Sequence, residues 1–112
     1  MSKPLPPTLR EKNRYIAYEV FCKRKLSAEE ITRVLWKGML NALGEIGTAL
    51  TSFHPVFFNE KKQRGVVRVN HRSVEKVRAA FSLIAEVDGN EVHIHILRVS
   101  GTLKSLRERE LM

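Results

Sequence analysis

His93 and His95, one residue apart in "EVHIHILRV", are the residues whose type and spacing come nearest to metal chemistry. Strand alternation puts positions i and i+2 on one face, so two imidazoles project together and could begin a chelate. A site needs a third ligand, and only His71, brought in by the fold, suggests itself; two exposed histidines on an open sheet face are the plainer reading. Cys22, in "CKRK", has basic neighbours that could lower a thiol pKa. Alternation with Ile16, Tyr18 and Val20 instead makes it a small apolar residue at a strand end. No Gly-rich phosphate loop, paired carboxylates or Ser-His-Asp arrangement stands out. The sequence shows no catalytic residue and no metal site of its own.

Charge is the stronger signal. The chain of 112 residues carries 20 Lys plus Arg against 12 Asp plus Glu, a formal +8, which suits nucleic acid, an anionic surface or an acidic protein. Residues 1–26 and 59–72 carry +5 and +4, and the remainder is close to neutral. Clustering of this kind favours a phosphate-facing surface over charge that merely solubilises. Arg10, Lys12 and Arg14 in the first segment, with Lys61, Lys62, Arg64, Arg68, His71 and Arg72 in the second, are the candidate RNA contacts.

These residues must be placed by the elements around them. "RYIAYEVFC" alternates Ile16, Tyr18 and Val20 against Tyr15, Ala17 and Glu19, the period of a strand covered on one side. Ser27 followed by Glu30 forms a capping box for a long helix with Ile31, Leu35, Met39, Ala42, Ile46 and Ala49 on one face. Gly38, Gly44 and Gly47 within it imply a close approach to another backbone or a bend near Gly44. "FHPVFF" and "RGVVRV", joined by "NEKKQ", read as a hairpin with a basic tip, Pro55 marking an edge strand. A second helix starts at a Ser73 cap and repeats Val74, Val77, Phe81 and Ile84 through Val87; "DGN" then turns into a strand alternating Val92, Ile94 and Ile96 with His93, His95 and Leu97.

The order is βαββαβ, an α+β, ferredoxin-like or RNA-recognition-like sandwich with one sheet face uncovered. Its expected parts are a flexible basic arm over 1–13, one domain over 14–102 and a short charged helix over 103–112. The lone cysteine, the lack of an apolar leader and the lack of any long apolar run give the expectation of a soluble, cytoplasmic chain with no membrane contact. If Val67 and Val69 face the helices, the outward strip comprises Val66 and Arg68 with Tyr15, Ala17, His93 and His95. Tyr15, Val66, His93 and His95 are the expected protein-partner surface.

An RNA-recognition module carries stacking aromatics on its third strand. Here Arg64–Gly65 is followed by valines, so base stacking on that strand is absent and the basic tip is left to grip phosphates, with the glycine shaping the hairpin.

Taken together, "PTLREKNRYIAYEV", "RGVVRVNHRSVEKVRAAFSLI" and "HILRVSGTLKS" resemble the ribonuclease P protein component 2 family, the archaeal relatives of a eukaryotic ribonuclease P and MRP subunit. The resemblance covers nearly the whole chain. It implies a subunit of the ribonucleoprotein endoribonuclease that removes 5′ leaders from precursor tRNA, in which the RNA with its Mg2+ ions is catalytic and the chain binds no cofactor. It also implies ribonuclease P RNA, precursor tRNA, protein component 3 and other subunits as partners, with a homodimer possible. The residues alone leave two other readings open: a stand-alone RNA-binding or ribosome-associated module, and a small enzyme or metal-binding protein on the same fold.

Overall fold

In the computed structural model, which describes residues 12–109, β1 (Asn13–Cys22) alternates as its sequence requires, with Ile16, Tyr18 and Val20 buried on the inner side. It lies at the centre of a five-stranded antiparallel sheet. The remaining strands are β2 (His54–Asn59), β3 (Arg64–Asn70), β4 (Glu86–Val87) and β5 (Asn90–Ser100), in the spatial order β2-β3-β1-β5-β4. The βαββαβ sandwich is therefore present, with β4 added at one edge. β2 closes the opposite edge, where Pro55 sits beside a register shift.

Helix α1 (Ala28–Leu50) starts at the expected capping box: the Glu30 amide donates to Ser27 Oγ at 3.2 Å and the Ser27 amide donates to Glu30 Oε1 at 3.2 Å. Ile31, Leu35 and Met39 then face the sheet and are fully buried. Past that point the expected face is wrong. Gly44 adopts φ 73° and ψ 177°, which interrupts the helix and rotates its last turns, so Thr48 is buried while Ala49 is exposed and Ile46 is 79% exposed. Gly38 does mark a close approach, but to a side chain: a Cβ there would lie 2.5 Å from Ile84 Cδ1.

Helix α2 (Val74–Ser82) is shorter than the periodicity suggests and is preceded by a 3-10 turn over His71–Ser73; the Ser73 hydroxyl makes no capping bond. Glu86 and Val87 leave the helical pattern because Asp88 and Gly89 take φ 50° and 81°, the pair of positive values that a tight hairpin needs. They pair instead with Glu91 and Asn90.

The main core lies between sheet and helices. Val67, Val69, Val77, Phe81, Val92 and Ile94 join the β1 and α1 residues there, and Tyr18 stacks on Phe58 at 6.2 Å and meets Phe81 edge-on at 6.1 Å. Burial raises the Tyr18 phenol far above its ordinary value. The outer sheet face is only half open. Helix α3 (Leu103–Arg109) lies across it, and Leu106, fully buried, packs on Ala17 and Val66 with Tyr15, Val56, Leu97 and Leu103 around them.

One corner joins three segments. Asn70 donates from its amide to the Thr51 carbonyl at 2.9 Å and from Nδ2 to the Leu50 carbonyl at 2.7 Å, while the His71 amide donates to the Lys12 carbonyl at 2.7 Å. Among the described residues no helix is long and apolar enough to cross a membrane.

Candidate nucleic-acid interface

The basic tip is built by short polar contacts. Asn59 Oδ1 accepts from the Lys61 and Lys62 amides at 3.0 and 3.2 Å, closing the turn between β2 and β3. Gln63, at φ 54°, donates from Nε2 to the carbonyls of Glu60 at 2.7 Å and Leu26 at 3.0 Å, and its Oε1 accepts from the Leu26 amide at 2.9 Å. The tip is thereby fastened to the loop after β1. Lys25 Nζ adds a bond to the Lys61 carbonyl at 3.3 Å, so Lys23, Lys25, Lys61 and Lys62, all exposed, crowd one end of the sheet. Arg24 in the same loop bonds Glu30 Oε2 at 2.7 Å, and this contact, with the Ser27 amide, draws the Glu30 carboxyl down to about 2.

The glycine of "RGVVRV" does not shape this turn. Gly65 is buried in ordinary strand, and a Cβ would meet Tyr18 Oη at 2.5 Å and the Phe57 carbonyl at 2.7 Å. It makes room for the tyrosine.

The other candidates lie at the far end. Lys12, Arg14, Arg68, His71 and Arg72 gather where β1 begins and β3 ends, roughly 20 Å of strand away from Lys61 and Lys62. The single RNA contact expected from clustering is thus two poles, with Arg64 near the tip bonded to Glu19 at 3.5 Å. His71 is committed by its backbone and ring to the Lys12 carbonyl, which fixes the residue leading into β1. Arg10 lies outside the described residues.

The expected protein-partner strip is also divided. Val66 is fully buried under α3 and Tyr15 is half-buried beside it, because Leu106 supplies the apolar cover that an outside partner was expected to give. His93 and His95 remain exposed on the uncovered half. His93 Nε2 bonds Glu91 Oε1 at 2.9 Å, a same-face neighbour two residues earlier in the strand. His71 stands at the opposite end of β1, and among the described residues no group of three or more His, Cys, Asp or Glu is placed to hold a metal ion. Cys22 packs partly buried against the main core.

Two side chains on the open half are not singled out by the sequence pattern. Phe21 is 51% exposed and meets the His95 ring at 6.4 Å; Phe57, cross-strand from Val66 and therefore outward, is 40% exposed. The alternation of β1 is signal enough for Phe21. Phe57 is hidden by the register shift between Pro55 and Phe57, which moves the outward position by one. On the other side of the molecule a groove of about 630 Å³ runs between α1 and the chain after α2, lined by Lys37, Gly38, Leu83, Ile84 and Asp88 among others.

Comparison with known proteins identifies the family and the fold. Residues 14–111 match the model of the Rpp14/Pop5 family. "Ribonuclease P protein component 2" of Thermococcus kodakarensis is 43% identical over 109 residues, covering 97% of this chain and 91% of that protein. The protein of the same name from Pyrococcus horikoshii is 40% identical with the same coverage, and that from Methanococcus maripaludis is 33% identical over 99% of this chain and 84% of its own length. In fold, a chain of the yeast ribonuclease MRP structure superposes with TM-score 0.67 at 16% identity, over 91% of this chain and 93% of that one.

Proposed function

The chain belongs to the Rpp14/Pop5 family, and from that premise we propose that it is a protein subunit of ribonuclease P, binding and supporting the RNA that cuts 5′ leaders from precursor tRNA. The observation that supports this beyond the relatives' names is the pair of basic poles at the two ends of the sheet, held by backbone contacts. Positive charge at two fixed points 20 Å or so apart along a strand suits a folded RNA, whose phosphates it neutralises while releasing counterions. Magnesium, in this reading, is held by the RNA; the chain's own task is to lower phosphate repulsion and orient RNA segments.

Protein partners, component 3 first among them by the resemblance, fit the helix layer. Leu83 is 72% exposed at the groove beside α1, and Ile46 and Leu50 are exposed past the Gly44 bend. RNA and protein can then be held on different sides of one domain.

Reconstitution tests the reading. Omitting this chain from a mixture of ribonuclease P RNA, the other subunits and precursor tRNA is expected to reduce 5′-leader removal, while RNA-free protein cleaves nothing. Replacing Lys61, Lys62 and Arg72 with alanine is expected to lower the salt slope of RNA binding by roughly two to three units. Unchanged affinity and slope in the triple variant would sink the phosphate assignment.

A further inference from the structure

We infer that the uncovered half of the outer sheet face stacks unpaired bases of a single-stranded RNA segment, with Phe21 and Phe57 as the platforms. The inference rests on the reading of the chain as an RNA-contacting subunit. It departs from the expectation that the missing rings on β3 leave only phosphate contacts.

The rings come from neighbouring strands. Most aromatic side chains face inward: Tyr18, Trp36, Phe53, Phe58 and Phe81 belong to the main core or pack against it. Phe21 and Phe57 are the two phenylalanines left at the surface, and register puts both on the outer face: Phe21 beside His93, Phe57 beside Val66. Strand spacing and rise separate them by roughly 16 Å, enough for a short strand of nucleotides and too much for one base. Between them lies the Arg64–Glu19 pair at 3.5 Å, while the His95 imidazole, on β5, meets Phe21 from the other side of β1.

α3 decides the extent of this surface. Leu106 seals Ala17 and Val66, so an extended strand is confined to the part of the face that runs from Phe57, at the margin of this cover, to the basic tip. There Lys23, Lys25, Lys61 and Lys62 line the end next to Phe21, with the Glu60 carboxylate turned to the Ala28 amide at 3.3 Å and Glu19 held by Arg64. Exposed rings next to exposed lysines are complementary to a chain that alternates bases with phosphates. An apolar protein surface would gain from the rings and be opposed by the lysines. That charge argument favours RNA over a protein subunit.

The test uses the full chain, a single-stranded oligoadenylate of about a dozen nucleotides and an abasic ribose-phosphate strand of equal length at one salt concentration. Wild type is expected to prefer the oligoadenylate. Phe21→Leu and Phe57→Leu keep apolar area but remove the ring; each is expected to weaken oligoadenylate binding roughly 5- to 150-fold while leaving abasic binding and the melting temperature unchanged. Lys61→Ala with Lys62→Ala should weaken both strands alike. Equal affinity of wild type for the two strands, or leucine variants that bind oligoadenylate normally, would overturn the inference. So would variants that keep oligoadenylate but lose a protein subunit on reconstitution, which would make the face a protein interface. Wild type failing to assemble with ribonuclease P RNA would remove the functional reading as well, whereas normal assembly with indifferent leucine variants removes the stacking alone.

Discussion

Gly65→Ala separates a packing role for that glycine from a turn role. The new Cβ would sit 2.5 Å from Tyr18 Oη, 2.7 Å from Tyr18 Cζ and 2.7 Å from the Phe57 carbonyl oxygen, against comfortable separations of about 3.5–4.0 Å. Tyr18 has no room to rotate away, because Phe58 and Phe81 hold its ring on two sides. The carbonyl belongs to the neighbouring strand and moves only if β2 moves. Overpacking of this kind costs about 1–3 kcal/mol, and the backbone contact puts it near the top of that range. Alanine recovers up to about 1 kcal/mol by restricting the unfolded chain. The net loss is about 2 kcal/mol. Urea unfolding with a slope near ~1.5 kcal/mol per molar should then show a midpoint roughly 1–1.5 M lower, and melting roughly 8 °C lower. Adding Tyr18→Phe removes the nearest atom and leaves the other two contacts, so the double variant should recover only part of the loss. A Gly65→Ala protein unfolding within about 0.3 M of wild type would refute the packing account.

Three further outcomes are expected. Leu106→Ala should cost about 2–3 kcal/mol in urea unfolding, since it uncovers Ala17 and Val66 as well as leaving a cavity; an unchanged midpoint would mean α3 does not hold the outer face. The Glu30 carboxylate is held at about 2 by Arg24 and the Ser27 amide, below its ordinary 4.5, so its stabilisation is present above pH 4.5 and lost as pH falls towards 2; Glu30→Gln should flatten that part of an acid titration. The Tyr18 phenol is raised by burial, so its contribution is complete below pH 10 and fades as pH climbs beyond it; Tyr18→Phe should weaken the alkaline loss of stability seen by thermal melting.

Periodicity made the framework legible. Ile16, Tyr18 and Val20 named the inner face of β1, and the Ser27–Glu30 box set the start of α1, because both signals are local and need no tertiary information. The hidden features depended on contacts distant in sequence or on a change of register. Three glycines in α1 allow a close approach or a bend, and only the packing of Gly38 on Ile84 and the φ of Gly44, which turns Ile46 outward, show that both occur. Gly65 looks like a turn residue since nothing in "RGVVRV" announces that Tyr18, far earlier in the chain, needs its space. Alternation assigns the strip from Tyr15 to Val66 correctly to the outer face, yet "GTLKSLRERELM" reads as charged and does not declare Leu106 as its cover. Composition finds the basic residues, but only the hairpin register shows that they form two poles.

Asn70 and His71 hold the end of α1 and the start of β1 to the end of β3 through consecutive backbone donors and one side-chain amide. Truncating Asn70 removes the Nδ2 donor from the Leu50 carbonyl, a part-buried bond of the size that contributes about 0.5–1.5 kcal/mol. The damage would also spread in direction: the last turn of α1, with exposed Leu50, and the Lys12 end of β1 are positioned by neighbours in sequence. The corner acts as a hinge pin between the helix layer and the basic end of the sheet, and substitutions there should alter alignment on both sides while every surface residue stays in place.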